Sequence, residues 1–195
     1  MRRREKNIYR DSRKQRRMRM QRNLILFLLL CVIVALCFII FHKNAYEKGI
    51  SDLKKKEYKE AAIHFQDAVK KEIRLDQAYR GLGISYFEMG AYDKAVVAFE
   101  SAIEEGTEKT DTLCNLLGSC YMQTEQYDKA IAVFEEGIAL KECEPVLEHD
   151  MRYNQIIAYE KIGSWENAKA CMVEFLVKYP DDADAKREAD FLGTR

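Results

Sequence analysis

The chain has 195 residues, of which 48% are hydrophobic and 33% are charged, and its formal net charge is zero. The charge is unevenly placed: residues 1–23 carry eleven Lys and Arg against Glu5 and Asp11, a net charge of +9, so the rest of the chain carries −9. No folded basic surface accompanies the tail, which argues against nucleic acid as a partner.

An apolar segment, residues 24–41, follows the basic tail without any charged residue, Gly or Pro. Eighteen helical residues measure about 27 Å, close to the roughly 30 Å of a bilayer core, so the segment predicts a transmembrane helix. The alternative is a cleaved signal peptide, whose apolar region is shorter and ends in small residues. This segment instead ends in four bulky apolar residues, which favours an uncleaved anchor.

The orientation of the anchor follows from the positive charge beside it. The tail carries +9 before the span, whereas only Lys43 and Lys48 follow soon after it. Positively charged flanks stay in the cytoplasm, so we expect a single-pass protein of the plasma membrane with a cytoplasmic N-terminus and an extracytoplasmic C-terminal part.

One spacing recurs four times after the span: an aromatic residue, an Ala three residues later and a bulky apolar residue seven residues later. The instances are Tyr58/Ala61/Phe65, Tyr92/Ala95/Phe99, Tyr127/Ala130/Phe134 and Trp165/Ala168/Met172. The aromatic residues are 34, 35 and 38 positions apart. A period of this length indicates stacked units of two helices each.

Each aromatic residue is predicted to open the second helix of a pair. The predicted pairs are 43–55/58–72, 76–89/92–105, 110–123/126–140 and 148–162/165–178. Gly49, Gly83 and Gly118 each stand nine residues before an aromatic residue. Gly costs about 1 kcal/mol inside a helix, so its recurrence there indicates a close approach of the paired helices.

The motifs Leu82-Gly83-x-x-Tyr86 and Leu117-Gly118-x-x-Tyr121 complete a pattern that resembles the tetratricopeptide repeat (TPR). The resemblance covers about residues 42–192 and implies an all-α fold, a solenoid of about four helix-turn-helix repeats closed by a capping helix. The expected organisation is a basic tail (1–23), a transmembrane helix (24–41) and a TPR domain (42–195) with repeats 42–75, 76–110, 111–145 and 146–180 and a capping helix over 181–192.

The family resemblance also implies a function, since such arrays bind a protein or peptide partner in a concave groove lined by the first helices. The candidate groove residues are Tyr46, Ile50, Arg80, Ile84, Phe87, Asn115, Ser119, Met122, Tyr153 and Ile157. The alternative for each apolar member is that it fills space between hairpins. Tyr46 and Ile50 stand where family members that clamp chaperone tails carry Lys and Asn, which disfavours that ligand.

The sequence contains no catalytic motif, and we expect neither an enzyme nor a bound cofactor. The Cys residues form no C-x-x-C pair, and the three His are scattered, so no metal site is expected. Cys114 and Cys120 are expected to be free thiols in the core.

The leading hypothesis is therefore a membrane-anchored scaffold or adaptor of a bacterial cell envelope. Two alternatives remain: a regulatory or receptor subunit that signals to a cytoplasmic partner, and an organellar import receptor with cytosolic repeats. A hydrolase is the least favoured reading. The partner and the oligomeric state do not follow from the sequence.

Overall fold

The computed structural model describes the backbone of residues 2–195 and the side chains of residues 18, 20–38 and 45–195. Most side chains of the basic tail, and those of residues 39–41 at the end of the predicted span, lie outside the described residues. The chain forms two compact units, Met1–Asn44 and Ala45–Arg195. The helices are α1 (Arg2–Lys54), α2 (Tyr58–Lys70), α3 (Leu75–Glu88), α4 (Tyr92–Glu104), α5 (Asp111–Gln123), α6 (Tyr127–Ile138), α7 (Pro145–Lys161), α8 (Trp165–Lys178) and α9 (Ala183–Leu192).

The first unit contains the apolar helix. Its most apolar stretch is Met20–Phe38, 19 residues with a mean hydropathy of 2.3 and none of them buried. This length and composition suit a helix that crosses a membrane, and they also suit a signal sequence close to an N-terminus.

The second unit consists of helical hairpins, and the predicted helix pairs are confirmed. The second helices begin at Tyr58, Tyr92, Tyr127 and Trp165, the four residues that carry the repeated pattern. The C-terminal part of α1 is the first helix of repeat one, and α3, α5 and α7 are the first helices of the next three repeats. Helix α7 begins three residues earlier than expected, because Pro145 at its first turn has the backbone angle that a helix start requires.

The turn inside each hairpin contains one residue in the left-handed conformation. Gly90 and Gly163 occupy this position with φ of 70° and 74°. Lys56 and Glu125 occupy it in the other two repeats with φ of 62° and 58°. A side chain is disfavoured there, so these two turns carry backbone strain that the glycine turns avoid.

Recurring glycines bring the two helices of a hairpin together. A Cβ atom at Gly83 would lie 2.5 Å from Cδ1 of Phe99, and one at Gly49 would lie 2.8 Å from Cε1 of Phe65. Both phenylalanines are fully buried. The predicted close approach is present, and the second-helix Phe occupies the space that a larger first-helix residue would need.

Neighbouring repeats are joined by a ladder of tyrosine hydroxyl hydrogen bonds. In each case a tyrosine on a first helix pairs with a polar side chain on the second helix of the preceding repeat. The three pairs are Gln66 Nε2 donating to Tyr86 (2.6 Å), Tyr121 donating to Glu100 Oε1 (2.6 Å) and Tyr159 donating to Glu135 Oε1 (3.2 Å). The ladder gives each repeat a polar contact to its neighbour in addition to the apolar core.

Helix α9 closes the array at its C-terminal end. Asp182 caps it, since its Oδ1 atom accepts a hydrogen bond from the backbone N–H of Ala185 at 2.8 Å. Ala185 and Leu192 are buried in a cluster that includes Ile156 of α7 and Phe175 of α8. The predicted capping helix is present.

Candidate partner-binding site

A cavity of about 360 Å³ opens between the first helices of the first three repeats, and we call it the first-helix cavity. Its volume lies in the range of about 300 to 1,000 Å³ that is typical of ligand sites. The residues that line it are Tyr46, Ile50 and Leu53 of α1, Gln77, Arg80, Gly81 and Ile84 of α3, Phe99 of α4, Thr110 before α5, and Asp111, Thr112, Leu113 and Leu116 of α5.

Four predicted groove residues, Tyr46, Ile50, Arg80 and Ile84, line this cavity together. They meet because residues three or four apart share one face of a helix and because successive first helices lie side by side. Only part of Tyr46 is available to a ligand, since it is 8% exposed and packs edge-on against Phe65 with ring centroids 5.8 Å apart.

The charged groups of the cavity differ in how they are held. Arg80 is exposed and forms no ion pair with a side chain of the described residues. Asp111 accepts hydrogen bonds from the backbone N–H groups of Glu144 at 2.9 Å and of Thr112 at 2.6 Å. The bond from Glu144 is the main cause that lowers the pKa of Asp111, so this carboxylate stays ionised and fixed. Arg80 is the charged group of the cavity that remains free to meet a ligand.

The other six predicted groove residues do not line this cavity: Phe87, Asn115, Ser119, Met122, Tyr153 and Ile157. Phe87 and Met122 pack against the core cluster of repeats two and three. The Phe87 ring meets Tyr92 edge-on at 5.7 Å, and Tyr153 packs against Phe175 at the same distance. All six are partly exposed, so their role in binding stays a prediction.

Asn115 holds a polar atom that no described residue satisfies. Its Oδ1 atom is buried and has no hydrogen-bond partner. A buried amide oxygen without a donor costs roughly 1 to 3 kcal/mol, and a donor from a ligand would remove that cost.

The candidate residues include only four of those that line the cavity, and Gln77, Thr112 and Leu116 are among the ones left out. Gln77 and Thr112 precede Arg80 and Asn115 by three residues, so one more helical turn on the same face would have included them. The sequence does not identify Leu116 as a cavity residue, because a Leu at its position would suit the core equally well.

The buried cysteines of the core are not placed as reactive groups. Cys114 and Cys120 are buried and free. Burial raises the pKa of Cys114 to about 11 and that of Cys120 to about 12, so both thiols stay protonated and are poor nucleophiles at neutral pH. Among the side chains that the structure describes, no three or more His, Cys, Asp or Glu lie together as a metal site would require.

Comparison with known proteins agrees with this architecture. Family models for the tetratricopeptide repeat match residues 46–111 and 86–142. The chain contains tetratricopeptide repeats. The matched residues cover repeats one to three, including every residue of the first-helix cavity.

Solved TPR structures resemble the TPR domain over a longer stretch of the chain. MamA of AMB-1 has a TM-score of 0.65 at 21% identity, covering 78% of this chain and 81% of its own. YrrB, described as a TPR protein with an unusual peptide-binding site, has a TM-score of 0.66 at 21% identity, covering 76% and 74%. MamA from Desulfovibrio magneticus RS-1 has a TM-score of 0.65 at 17% identity, covering 79% and 84%. At these identities the likeness establishes the TPR solenoid, and a search of curated sequences gave no significant match.

Proposed function

We propose that the chain is a membrane-anchored scaffold whose TPR domain binds a peptide segment of a protein partner in the first-helix cavity. The observation that carries the proposal is the cavity itself, formed by three successive first helices. Its walls combine apolar side chains such as Ile50 and Ile84 with the unpaired Arg80 and with Gln77. Such a wall suits an apolar anchor oriented by polar contacts. The peptide-binding site named for YrrB supports the same use of the fold.

The apolar helix is the proposed anchor. All of Met20–Phe38 is exposed, which is the expected arrangement for a helix that meets lipid. The net charge of +9 before it favours a cytoplasmic N-terminus, which places the TPR domain outside the plasma membrane of a bacterial envelope.

Site-specific photo-crosslinking in the full-length chain tests the binding site. A photoreactive residue at position 84 should capture a partner, whereas one at position 97, an exposed residue of α4, should not. Capture from position 97 alone would place the site on the outer surface and overturn the proposal.

Titration with the captured partner then tests the remaining groove residues. Phe87→Ala and Tyr153→Ala should each weaken binding by roughly 1 to 3 kcal/mol, as aromatic anchors commonly do. Lys94→Ala is the outer-surface control and should change binding little. If Lys94→Ala weakens binding and the two groove variants do not, the convex side is the binding surface.

Protease treatment of intact cells and of spheroplasts tests the topology. The proposal expects the TPR domain to be digested in spheroplasts while a tag at the N-terminus stays protected. Protection of the TPR domain would instead favour the import-receptor type of topology, with cytosolic repeats. Loss of the apolar segment from the mature chain would identify it as a signal peptide.

A further inference from the structure

The start of helix α9 is bound to α7 through one imidazole. His149 Nε2 lies 2.9 Å from Asp182 Oδ2, and Nδ1 lies 3.3 Å from Asp150 Oδ1. The ring is held between Phe175 at 5.0 Å and Tyr179 at 4.8 Å, measured between ring centroids. Because Asp182 also caps α9, the His149 contact acts on the residue that starts this helix.

A carboxyl group of α7 lies close to one of α9. Glu188 of α9 is near enough to Glu160 of α7 for its negative charge to raise the pKa of Glu160. Two neighbouring carboxyl groups disfavour ionisation of each other, so the proton on Glu160 removes a repulsion between α7 and α9. The Oε1 atom of Glu160 is buried and has no hydrogen-bond partner among the described residues, so no donor stabilises a negative charge on it.

The charged surroundings favour the protonated form of both groups. Burial, followed by the nearby charge of Glu188, raises the pKa of Glu160 to about 7, while Lys161 opposes the shift. Burial lowers the pKa of His149, but the bonds to Asp182 and Asp150 outweigh it and raise that pKa overall.

Two further groups face the carboxylates on this side of α9. Burial raises the pKa of Tyr153 of α7, and the nearby charges of Glu188, Asp182 and Glu160 raise it further. Arg187 of α9 acts in the opposite direction on Tyr153. The pKa of Asp182 is lowered mainly by the backbone hydrogen bond from Ala185 and then by the bond to His149, to which Arg187 adds a smaller effect. Neither Tyr153 nor Arg187 changes charge near neutral pH, so His149 and Glu160 are the groups of this contact that titrate there.

We propose that α9 is a pH-dependent latch, closed on the last repeat while His149 and Glu160 hold their protons and released as both lose them. Each group binds its proton more tightly in the closed state, so closure is strongest at mildly acidic pH and weakens as the pH rises through about 7. Release would uncover Ile156, Met172 and Phe175, which are at most 2% exposed beneath α9. The latch thus makes an apolar surface at the end of the array available at higher pH, whether or not the first-helix cavity binds a peptide.

Hydrogen exchange of the full-length chain in detergent micelles tests the latch. After correction for intrinsic exchange rates, protection of α9 should fall on the order of tenfold more than protection of α4 between about pH 5.5 and about pH 8.5. Helix α4 serves as the internal reference because it lies two repeats away from α9. Equal pH dependence of the two helices would overturn the proposal.

Matched variants separate the latch from general pH effects. Glu160→Gln keeps a hydrogen-bonding side chain but cannot ionise, so the pH dependence of α9 should flatten. Glu188→Gln should act in the same direction, whereas Glu166→Gln, at an exposed position in the first turn of α8, should leave the wild-type profile unchanged. A wild-type profile in both Glu160→Gln and Glu188→Gln would refute the role of the carboxyl pair and with it the latch.

The single tryptophan provides a second readout that does not depend on exchange. The guanidinium of Arg195, just beyond α9, lies 5.4 Å from the centre of the Trp165 ring. Release of α9 should therefore shift Trp165 emission to longer wavelength between the same two pH values, while far-ultraviolet circular dichroism shows that the repeats stay folded. An emission spectrum that is constant across this range would contradict the latch.

Discussion

Gly118 offers the sharpest test of how the repeats pack. It lies on α5 opposite Phe134 of α6, which is fully buried. A Cβ atom at Gly118 would lie 2.7 Å from Cδ1 and 2.8 Å from Cζ of Phe134. Carbon atoms separated by less than about 3.5 Å repel each other, so Gly118→Leu must displace either the ring or the helix.

The expected loss follows from two opposing terms. Overpacking a core costs about 3 kcal/mol at the upper end of its usual range, and replacing a helical Gly by Leu returns about 1 kcal/mol. The net loss of about 2 kcal/mol corresponds to a fall in melting temperature of roughly 4 to 8 °C for a domain of this size.

Lys141→Leu is the matched control, because it introduces the same side chain at an exposed position between α6 and α7. Its effect should stay within about 0.5 kcal/mol. Thermal unfolding of both full-length variants in the same detergent, followed by circular dichroism, measures the difference. Equal melting shifts would show that Gly118 does not face Phe134 and that the assignment of the repeats is wrong.

Three further substitutions probe the turns, the ladder and the ion pairs. Glu125→Gly should raise the melting temperature by about 2 to 4 °C by removing left-handed strain of about 1 kcal/mol, whereas Ala132→Gly within α6 should lower it by a similar amount. Tyr121→Phe removes the hydrogen bond to Glu100 and should cost about 1 kcal/mol in urea unfolding. Glu148→Gln should lower the free energy of unfolding at pH 7. It should also reduce the amount by which that free energy falls when the protein is acidified. The hydrogen bond from Lys178, followed by that from Arg152, keeps the pKa of Glu148 below its usual value; the resulting stability is present above about pH 4.5 and disappears as the pH falls.

For each of these substitutions, a different measured result would contradict the prediction. Destabilisation by Glu125→Gly would mean that the Glu125 side chain makes a contact that outweighs the strain. An unchanged urea midpoint for Tyr121→Phe would show that the bond to Glu100 contributes no net free energy. Acid unfolding of Glu148→Gln that parallels the wild type from pH 7 downwards would place the acid-sensitive carboxylates elsewhere.

The repeat pattern was sufficient to predict the helical hairpins because it reports local packing. Each second helix begins at the aromatic residue of the pattern, and each small first-helix residue of the first three repeats faces a buried Phe. These contacts join residues within one repeat, so the same spacing recurs in the sequence. The family and the fold class therefore followed from the sequence.

The departures from the pattern could not be interpreted from the sequence, because they depend on pairs of residues on different helices. Asp52 follows Gly49 by three residues, at the position that Tyr86 and Tyr121 hold in the motifs of the next two repeats, and its carboxylate lies 2.7 Å from Nδ1 of His64 on α2. Gln155 precedes Trp165 by ten residues, at the position that Leu82 and Leu117 hold in those motifs, and it donates to Glu135 of the preceding repeat at 3.0 Å. In both cases a polar pair replaces an apolar contact, which the residue type at one position does not reveal.

The lining of the cavity could be anticipated only in part for a related reason. Helical periodicity grouped Ile50, Arg80 and Ile84 on one face, and all three line the first-helix cavity; that they bind a partner stays a prediction. It could not tell how deeply a residue lies, because depth depends on the neighbouring repeat. Phe87 shares the face of Arg80 in sequence but packs against Tyr92 at the end of its own hairpin.

The tyrosine ladder has a consequence for the length of such a protein. Each hydroxyl reaches only the helix immediately before its own repeat, so no bond of the ladder spans more than one junction. Suppose that a second copy of repeat three were inserted directly after the first. The tyrosine of the copy would meet the ladder glutamate of the original, and the glutamate of the copy would meet the tyrosine of repeat four. Gene duplication could therefore lengthen the array one repeat at a time, extending the row of first helices without redesign of the existing junctions.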